Sequence, residues 1–496
     1  MKFDSNKLWE SQKESVRKCS ALLAAGKPAL LTDGMGSGKT IISLCSALSV
    51  DGARVLVVCT KSTLDIWQAS AIELLGLTCA DLSEAAVEGE ALVLVTTHDA
   101  LRATSVEKLK AFVVVIDEAH AYANSKSTRY VEMEATLKAP GVAGVVAATA
   151  TPVYNSFDDV RSLMRLIGRE AEPSMDWVVF TPTVVNLQPC EVRDHIVTMR
   201  EDEMAAYRRD VEELVERNAS LFTLGRVLLY SDKTLDASLG EGCTLKRFPP
   251  SSRELAIVDI VERHLQLGTT NKVVVAARHL AFLEHAAAVV KTTIKDVYCF
   301  VLNGESGRGN HKRVIDAFNA CGRPVVLFVS SGANSEGISL VSSDCLVLAD
   351  SANHFSVMHE RQLIGRLHRF GQALPVHVHR LVSPGTCDAF IPARYHELKL
   401  NLMRRFADRD PAVLTERSVE DEHRHPAREY LDLLNAYSAS APALEPAAER
   451  DVRVDKFRHV AIDRFSTNKI KKPLKTTARE RISKKLGIRT NKMKPI

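Results

Sequence analysis

Nowhere in this 496-residue chain does an apolar run reach the length of a transmembrane helix. No segment therefore reads as a membrane span. The opening stretch, Met1 to Lys18, is polar and charged and lacks the apolar core of a secretory signal. None of the ten cysteines pairs with another as CxxC. That absence argues against a disulfide framework and against the usual zinc spacings. Cys19, Cys45, Cys59, Cys79 and Cys190 stand singly, as small core residues do in a reducing compartment. Internal repeats of solenoid period are missing as well. What is present is length for two or three domains and 46% apolar residues, enough for ordinary cores. The expectation is a soluble intracellular protein.

The net charge of +4 is unevenly spread. From Asp451 onward 15 Lys/Arg face 4 Asp/Glu, a local balance of +11 that leaves −7 for the remainder. Between Lys469 and Lys494 only Glu480 opposes the basic residues. Such a tail is either a solvated extension or an arm that contacts phosphates or directs localisation. The motifs below favour the second.

Short Val/Ile/Leu runs predict buried strands at Ala29–Leu31, Val55–Cys59, Leu92–Thr96, Phe112–Ile116 and Gly144–Ala148, with helical patterns such as Ile41–Ser49 and Thr63–Leu75 between them. That alternation predicts a parallel sheet covered on both faces. From about Asp158 to Pro250 the strands disappear. There Glu201–Asn218 reads as a charged helix with Met204, Tyr207, Val211 and Leu214 on one face, and Pro249-Pro250-Ser251-Ser252 as a boundary. Strands resume at Lys272–Ala276, Val297–Leu302, Val325–Val329 and Cys345–Leu348. The reading is two α/β domains with a helical insert and a polar tail from about Pro411.

The residues that carry chemistry begin with Asp33-Gly34-Met35-Gly36-Ser37-Gly38-Lys39-Thr40, which follows the first strand. A phosphate chain packs several negative charges into a small volume and needs converging N–H donors and a cation. Gly34, Gly36 and Gly38 allow close backbone approach and positive φ. The following helix offers its N-terminus, Lys39 serves the β/γ-phosphates, and Thr40 serves Mg²⁺. The usual first glycine of such a loop is Asp33 here. Phe112–Ile116 runs into Asp117-Glu118-Ala119-His120. Ligands of open parallel sheets sit beyond the carboxyl ends of strands, so Asp117 is placed to hold Mg²⁺ through water and Glu118 to orient or deprotonate an attacking water. Two adjacent acids also serve simply as helix N-terminal charges, a reading that weakens downstream of a phosphate loop. Thr149-Ala150-Thr151-Pro152 follows the next strand, either relaying between the carboxylates and the second domain or capping a helix.

In the second half, Gln362-Leu363-Ile364-Gly365-Arg366-Leu367-His368-Arg369-Phe370-Gly371-Gln372 puts Gln362, Arg366 and Arg369 at i, i+4 and i+7, one face of a helix. Two guanidinium forks match the charge spread over a transferring phosphoryl group. A solvated surface helix is the plainer alternative. Gln12, upstream of the phosphate loop, is placed to read adenine, and Ser330–Leu340 is a small polar turn suited to a cleft. Trp67 reads as core packing rather than a base-stacking platform.

Taken in order, these motifs resemble the helicase-type ATPases of superfamily two, and within it the Swi/Snf-like branch. That branch has D-E-M-G-x-G-K-T at the phosphate loop, matched by Asp33 to Thr40 including the Asp. Val57–Trp67, Asp117–His120, Thr149–Asn155 with Asp159, and Gln362–Gln372 resemble its further motifs. The likeness runs from about Leu8 to Leu398. DEAH-type RNA helicases lack the Asp and end their last motif differently.

The resemblance implies an α/β fold of two tandem RecA-like domains, at 1–157 and 251–410. A helical insertion would occupy 158–250, and a C-terminal extension with the basic tail 411–496. It implies ATP and Mg²⁺ as cofactors, held by Gln12, Gly34, Gly36, Ser37, Gly38, Lys39, Thr40, Asp117 and Gly337, with Thr40 and Asp117 on the metal. Glu118 becomes the catalytic carboxylate, Arg366 and Arg369 the arginine fingers, and Gln362 a nucleotide sensor. Nucleic acid is the implied partner, duplex DNA favoured over single-stranded DNA or RNA, with translocation as the output and no membrane involved. A strand-separating helicase and a DNA-binding scaffold with an idle ATPase are the alternatives.

Several positions depart from the family pattern: Ala123 before Asn124, Asn334-Ser335 for a glycine pair, Ser339 for an asparagine, Asn353-His354-Phe355 for W-N-P, and Gly365 where an aspartate is common. No chromatin-reader module accompanies the motor. That compactness resembles the nucleoside triphosphatases of large DNA viruses, which implies a cytoplasmic factory or virion as an alternative to the nucleus.

Overall fold

Strand β1 (Ala29–Leu31), β2 (Arg54–Cys59), β3 (Cys79–Asp81), β4 (Val93–Thr97), β5 (Phe112–Ile116), β6 (Val142–Ala148) and β7 (Val178–Val179) form one sheet in the order β3-β4-β2-β5-β6-β1-β7. Every pairing in it is parallel. The apolar runs are continuous because each strand is covered twice. Leu56, Val58, Val114 and Ile116 face one core cluster, whereas Val55, Val57, Val113 and Val115 face another. Fully burying such side chains contributes about 1.5–3 kcal/mol apiece. The computed structural model describes residues 8–82, 89–102, 106–153, 156–169, 171–182, 187–216, 250–267, 269–302, 308–330, 338–350, 357–388, 397–410 and 412–415.

The second sheet contains β8 (Cys190–Ile196), β9 (Lys272–Ala277), β10 (Tyr298–Leu302), β11 (Val325–Ser330), β12 (Cys345–Leu348) and β13 (Val376–Val382) in the order β10-β11-β9-β12-β13-β8. It too is parallel throughout. Val273, Val275 and Phe328 fill one side and Val274, Leu327 and Leu346 the other. The expected α/β architecture of two RecA-like parallel-sheet domains is therefore what the chain adopts. Among the described residues no helix is long and apolar enough to cross a membrane.

The described residues divide into two units, one of residues 8–182 with 397–415 and one of residues 187–388. This differs from the expected division at two points. The stretch expected to lack strands supplies both β7, on the outer side of β1, and β8, paired along its whole length with β13. Pro250, Ser251 and Ser252 lie inside the second unit. Glu203, on the helix Glu201–Glu216, accepts from Ser252 N at 2.7 Å and Ser252 Oγ at 2.5 Å. That helix buries Tyr207 and Val211 as expected, and also Glu203.

The other departure is at the far end. The helices Glu397–Ala407 and Ala412–Thr415 belong to the first unit. Arg161 Nη1 donates to Val413 O at 3.2 Å, and the Arg405 guanidinium lies 5.0 Å from the Phe157 ring centre. Residues 217–249 of the insertion, Asn155, residues 331–337 with Gly337, residues 351–356 and the tail from 416 lie outside the described residues.

Candidate active site

Three neighbouring strands of the first sheet, β5, β6 and β1, carry the expected chemistry on the loops at their carboxyl ends. After β1 the chain turns through Gly36 at φ +75° and Gly38 at φ +82° and then enters α2 (Lys39–Ala47). Gly34, expected to share that conformation, is not among the positive-φ glycines. A Cβ on Gly38 would stand 2.4 Å from Gln12 Nε2, so this glycine is required by packing as well as by dihedral.

Gln12, on α1 (Glu10–Ala24), is buried. Its Nε2 donates to Ser37 O at 2.9 Å, and its Oε1 accepts from Trp9 N at 3.0 Å. Lys39 Nζ donates to Asp33 O at 3.0 Å and Gly34 O at 2.9 Å, which holds the ammonium inside the loop. Ser37 Oγ is buried without a hydrogen-bond partner among the described residues.

Asp33 itself is 1% exposed. Its Oδ2 accepts from Ser15 Oγ at 2.5 Å and its Oδ1 from Thr181 N at 2.7 Å. Burial raises its pKa, and these two donors oppose that shift. The acid at the first loop position is therefore a clamp joining the loop to α1 and to the chain after β7. Neither Ser15 nor Thr181 was singled out in the sequence. The signal was the acid itself, because a buried carboxylate needs donors.

At the end of β5, Asp117 receives Trp67 Nε1 at 2.8 Å and Thr63 Oγ1 at 3.3 Å on Oδ2, and Glu118 N at 3.0 Å on Oδ1. Burial and the adjacent Glu118 charge raise its pKa, and the Lys39 ammonium is close enough to oppose them. Glu118 takes a left-handed conformation, φ +45° and ψ +50°. For a residue with a Cβ this costs about 1–3 kcal/mol and is found where surrounding structure enforces it. Its Oε2 is buried with no hydrogen-bond partner among the described residues.

His120 Nδ1 lies 3.3 Å from that oxygen and 3.1 Å from both Thr149 Oγ1 and Thr151 Oγ1. Burial pushes the imidazole down to about 4, so it is neutral at pH 7 and the contact is not an ion pair. The threonines after β6 are thus joined to the acidic turn after β5.

In the second unit, the helix Val357–Leu367 carries Gln362 and Arg366, with Leu363 and Leu367 buried on its inner face. The helix ends at Leu367. Arg369 therefore lies in the following turn and does not continue the Gln362–Arg366 face, a correction to the i+7 expectation. The turn is held by Gln372, whose Nε2 donates to Ser343 O at 2.9 Å and Leu367 O at 3.2 Å while Oε1 accepts from Leu374 N at 3.0 Å. Gly371, at φ +95°, makes the reversal possible. Arg366 O accepts from Leu340 N at 2.9 Å. Burial lowers the pKa of Arg369, but arginine stays charged.

The donor set of the first unit fits Mg²⁺–ATP. A helix N-terminus with two left-handed glycines fits phosphates, and two carboxylates beside a lysine fit a metal-bound phosphate chain. Among the described residues no cluster of three or more His, Cys, Asp or Glu forms a separate metal centre. A glycine loop after one strand and an Asp-Glu turn after another, on the same edge of a parallel sheet, define the class: an ATP-hydrolysing, helicase-like enzyme.

Comparison with known proteins names the branch. Residues 11–181 match the SNF2-related domain and residues 256–371 the helicase conserved C-terminal domain. The chain belongs to the SNF2-related helicase-type ATPases. A "Probable global transactivator" of Orgyia pseudotsugata multicapsid polyhedrosis virus is 23% identical over 477 residues, covering 82% of this chain and 93% of the viral protein. The "SWI/SNF-related matrix-associated actin-dependent regulator of chromatin subfamily A member 1" of Mus musculus is 26% identical over 446 residues, or 77% of this chain. The alignment spans only 42% of the mouse protein. Among solved structures, the Sulfolobus solfataricus SWI2/SNF2 ATPase core in complex with dsDNA aligns over 83% of this chain and 98% of that one, at 18% identity and a TM-score of 0.36.

Proposed function

We propose that this ATPase is driven by DNA, duplex in preference to single-stranded, and couples hydrolysis to translocation along it. The observation that carries the reading is the buried Glu118 Oε2, which has no hydrogen-bond partner among the described residues and only the neutral His120 ring nearby at 3.3 Å, on the same sheet edge as the Lys39 loop. A carboxylate oxygen left without a hydrogen bond is suited to hold the attacking water and accept its proton.

In this reading Mg²⁺–ATP supplies the phosphoanhydride to be broken and the cation that draws charge from it. Lys39 and the N–H groups of Gly36, Ser37 and Gly38 bind phosphate oxygens, Thr40 and Asp117 hold the metal, and Gln12 binds adenine. To Arg366 and Arg369 we assign neutralisation of charge on the transferring phosphoryl group, and to Gln362 and Gly337 a role in nucleotide sensing. Neutral His120 passes the state of the acidic turn to Thr149 and Thr151. We place the protein's work in viral transcription or replication, a setting supported by the viral transactivator that aligns over most of both chains.

The test is ATP turnover with duplex DNA, single-stranded DNA and RNA, together with displacement of a third strand from a triplex. Duplex DNA is expected to stimulate most and to support displacement. A folded protein whose turnover responds to none of the three refutes the motor. Separation of a forked duplex would instead identify a helicase.

A further inference from the structure

Trp67 has chemistry that packing does not use. It is 1% exposed, in the core where α3 (Leu64–Ala69) meets Val57 and Val95, and a phenyl group would keep part of that apolar contact without the N–H. Its ring nitrogen, however, stands 2.8 Å from Asp117 Oδ2. Thr63 Oγ1, at the entry to α3, lies 3.3 Å from the same oxygen, and Glu118 N–H covers Oδ1 at 3.0 Å. The carboxylate is therefore gripped by three donors from two separate elements. An indole N–H only donates, so this contact fixes one orientation of the carboxylate.

We propose that Trp67 is a positioning residue for a divalent cation, holding Asp117 in the rotamer that receives Mg²⁺. The inference rests on the reading of Asp117 as the metal-holding acid. Rigid outer partners of this kind set affinity because the ligand need not reorganise when the ion arrives, and removing one typically costs 10–100-fold in metal affinity or activity. A mobile Asp117 would divide its time among rotamers and among contacts with Lys39.

The experiment measures equilibrium binding of a fluorescent ATP analogue to the full chain while Mg²⁺ is titrated, comparing the unmodified protein with Trp67→Phe. The Mg²⁺ midpoint is expected to rise about tenfold in Trp67→Phe. Affinity for the analogue in EDTA stays unchanged, and turnover at saturating Mg²⁺ is retained. A purely structural role predicts instead that binding in EDTA and in Mg²⁺ weaken together, and that result overturns the inference. So does an unmoved midpoint.

A second measurement does not depend on how Trp67→Phe folds. In a Trp9→Phe, Trp177→Phe protein, Trp67 is the sole tryptophan. Its emission is expected to change when Mg²⁺ is added to the nucleotide-bound state, and constant emission overturns the proposal. If the unmodified protein binds nucleotide without any dependence on Mg²⁺, the reading of Asp117 falls and takes the inference with it. An intact Mg²⁺ dependence that ignores Trp67 removes the inference alone.

Discussion

Individual side chains at the first sheet edge are constrained in ways that make their substitutions distinguishable. Lys39 supplies charge for binding, whereas Glu118 has a buried oxygen without a hydrogen-bond partner among the described residues. Lys39→Ala is accordingly expected to abolish nucleotide binding. Glu118→Gln should retain binding and lower turnover by about 10²–10⁴-fold, the usual contribution of a positioned acid or base. Calorimetric binding beside steady-state turnover checks both, and loss of binding in Glu118→Gln would contradict the role. Gly38→Ala meets two obstacles at once, φ +82° and a Cβ 2.4 Å from Gln12 Nε2. Strain of about 1–3 kcal/mol is expected, seen as a raised KM for ATP because the displaced amide releases Ser37 O. An unchanged KM would show that the loop relaxes freely.

Between elements, polar ties do what the sheets alone do not. Arg253, at the start of the helix Ser252–Leu267, is 4% exposed and pairs with the buried Asp388. It also donates to Ala349 O and Ser383 Oγ, so one side chain joins that helix to the chain after β12 and β13. Arg253→Met takes the counter-ion from a buried carboxylate that keeps the Ser383 N–H at 3.0 Å, and is expected to cost about 3–5 kcal/mol in denaturant unfolding. Adding Asp388→Leu should restore most of it, since the penalty is a buried charge left without its counter-ion. Failure of the second change to recover stability would mean that packing dominates.

Which elements exist was legible from composition. Strands covered on both faces appear as Val/Ile/Leu runs, and the structure has Phe112–Ile116 and Cys345–Leu348 at the expected residues. The strands that escaped notice are edge or near-edge ones. β8 carries Glu191, Arg193, Asp194 and His195, and β13 alternates His377 and His379 with valines, so neither reads as buried. Charge on an outer strand blocks edge-to-edge pairing, and the same charge hides the strand.

Across the whole molecule, the buried and half-buried imidazoles set the response to acid. Burial pushes His98, His120 and His195 down to about 4 and His379 to about 3. An unfolded imidazole titrates near 6.5, so below that pH the unfolded chain binds protons that the fold refuses. Stability should be full above about pH 6.5 and fall as pH drops toward 4. Asp33, Asp117 and Asp210, with raised carboxyl pKa values, act in the opposite sense, but they are three groups against five once His368, also lowered by burial, is included. Urea midpoints at pH 7.5 and pH 5 check this, and equal midpoints would contradict it. The basic tail makes a second prediction. Removing residues after Arg450 takes away a balance of +11. The slope of log affinity against log salt should therefore become shallower, and an identical slope would show that the tail does not touch nucleic acid.

The phosphate loop, the Asp-Glu turn and the alternation of strand and helix were readable along the chain because each is local. Their chemistry is set by residues within one turn or one strand of each other. The partners of the buried acids were not readable in that way. Ser15 lies 18 residues from Asp33, Trp67 lies 50 from Asp117, and Thr181 lies 148 from Asp33. The return of Glu397–Thr415 to the first unit and the exit of Arg369 from its helix were hidden as well. A buried carboxylate must find a donor, and local spacing says only that it must. Which distant hydroxyl, indole or amide answers depends on how helices settle across a completed sheet, and that geometry exists only after folding.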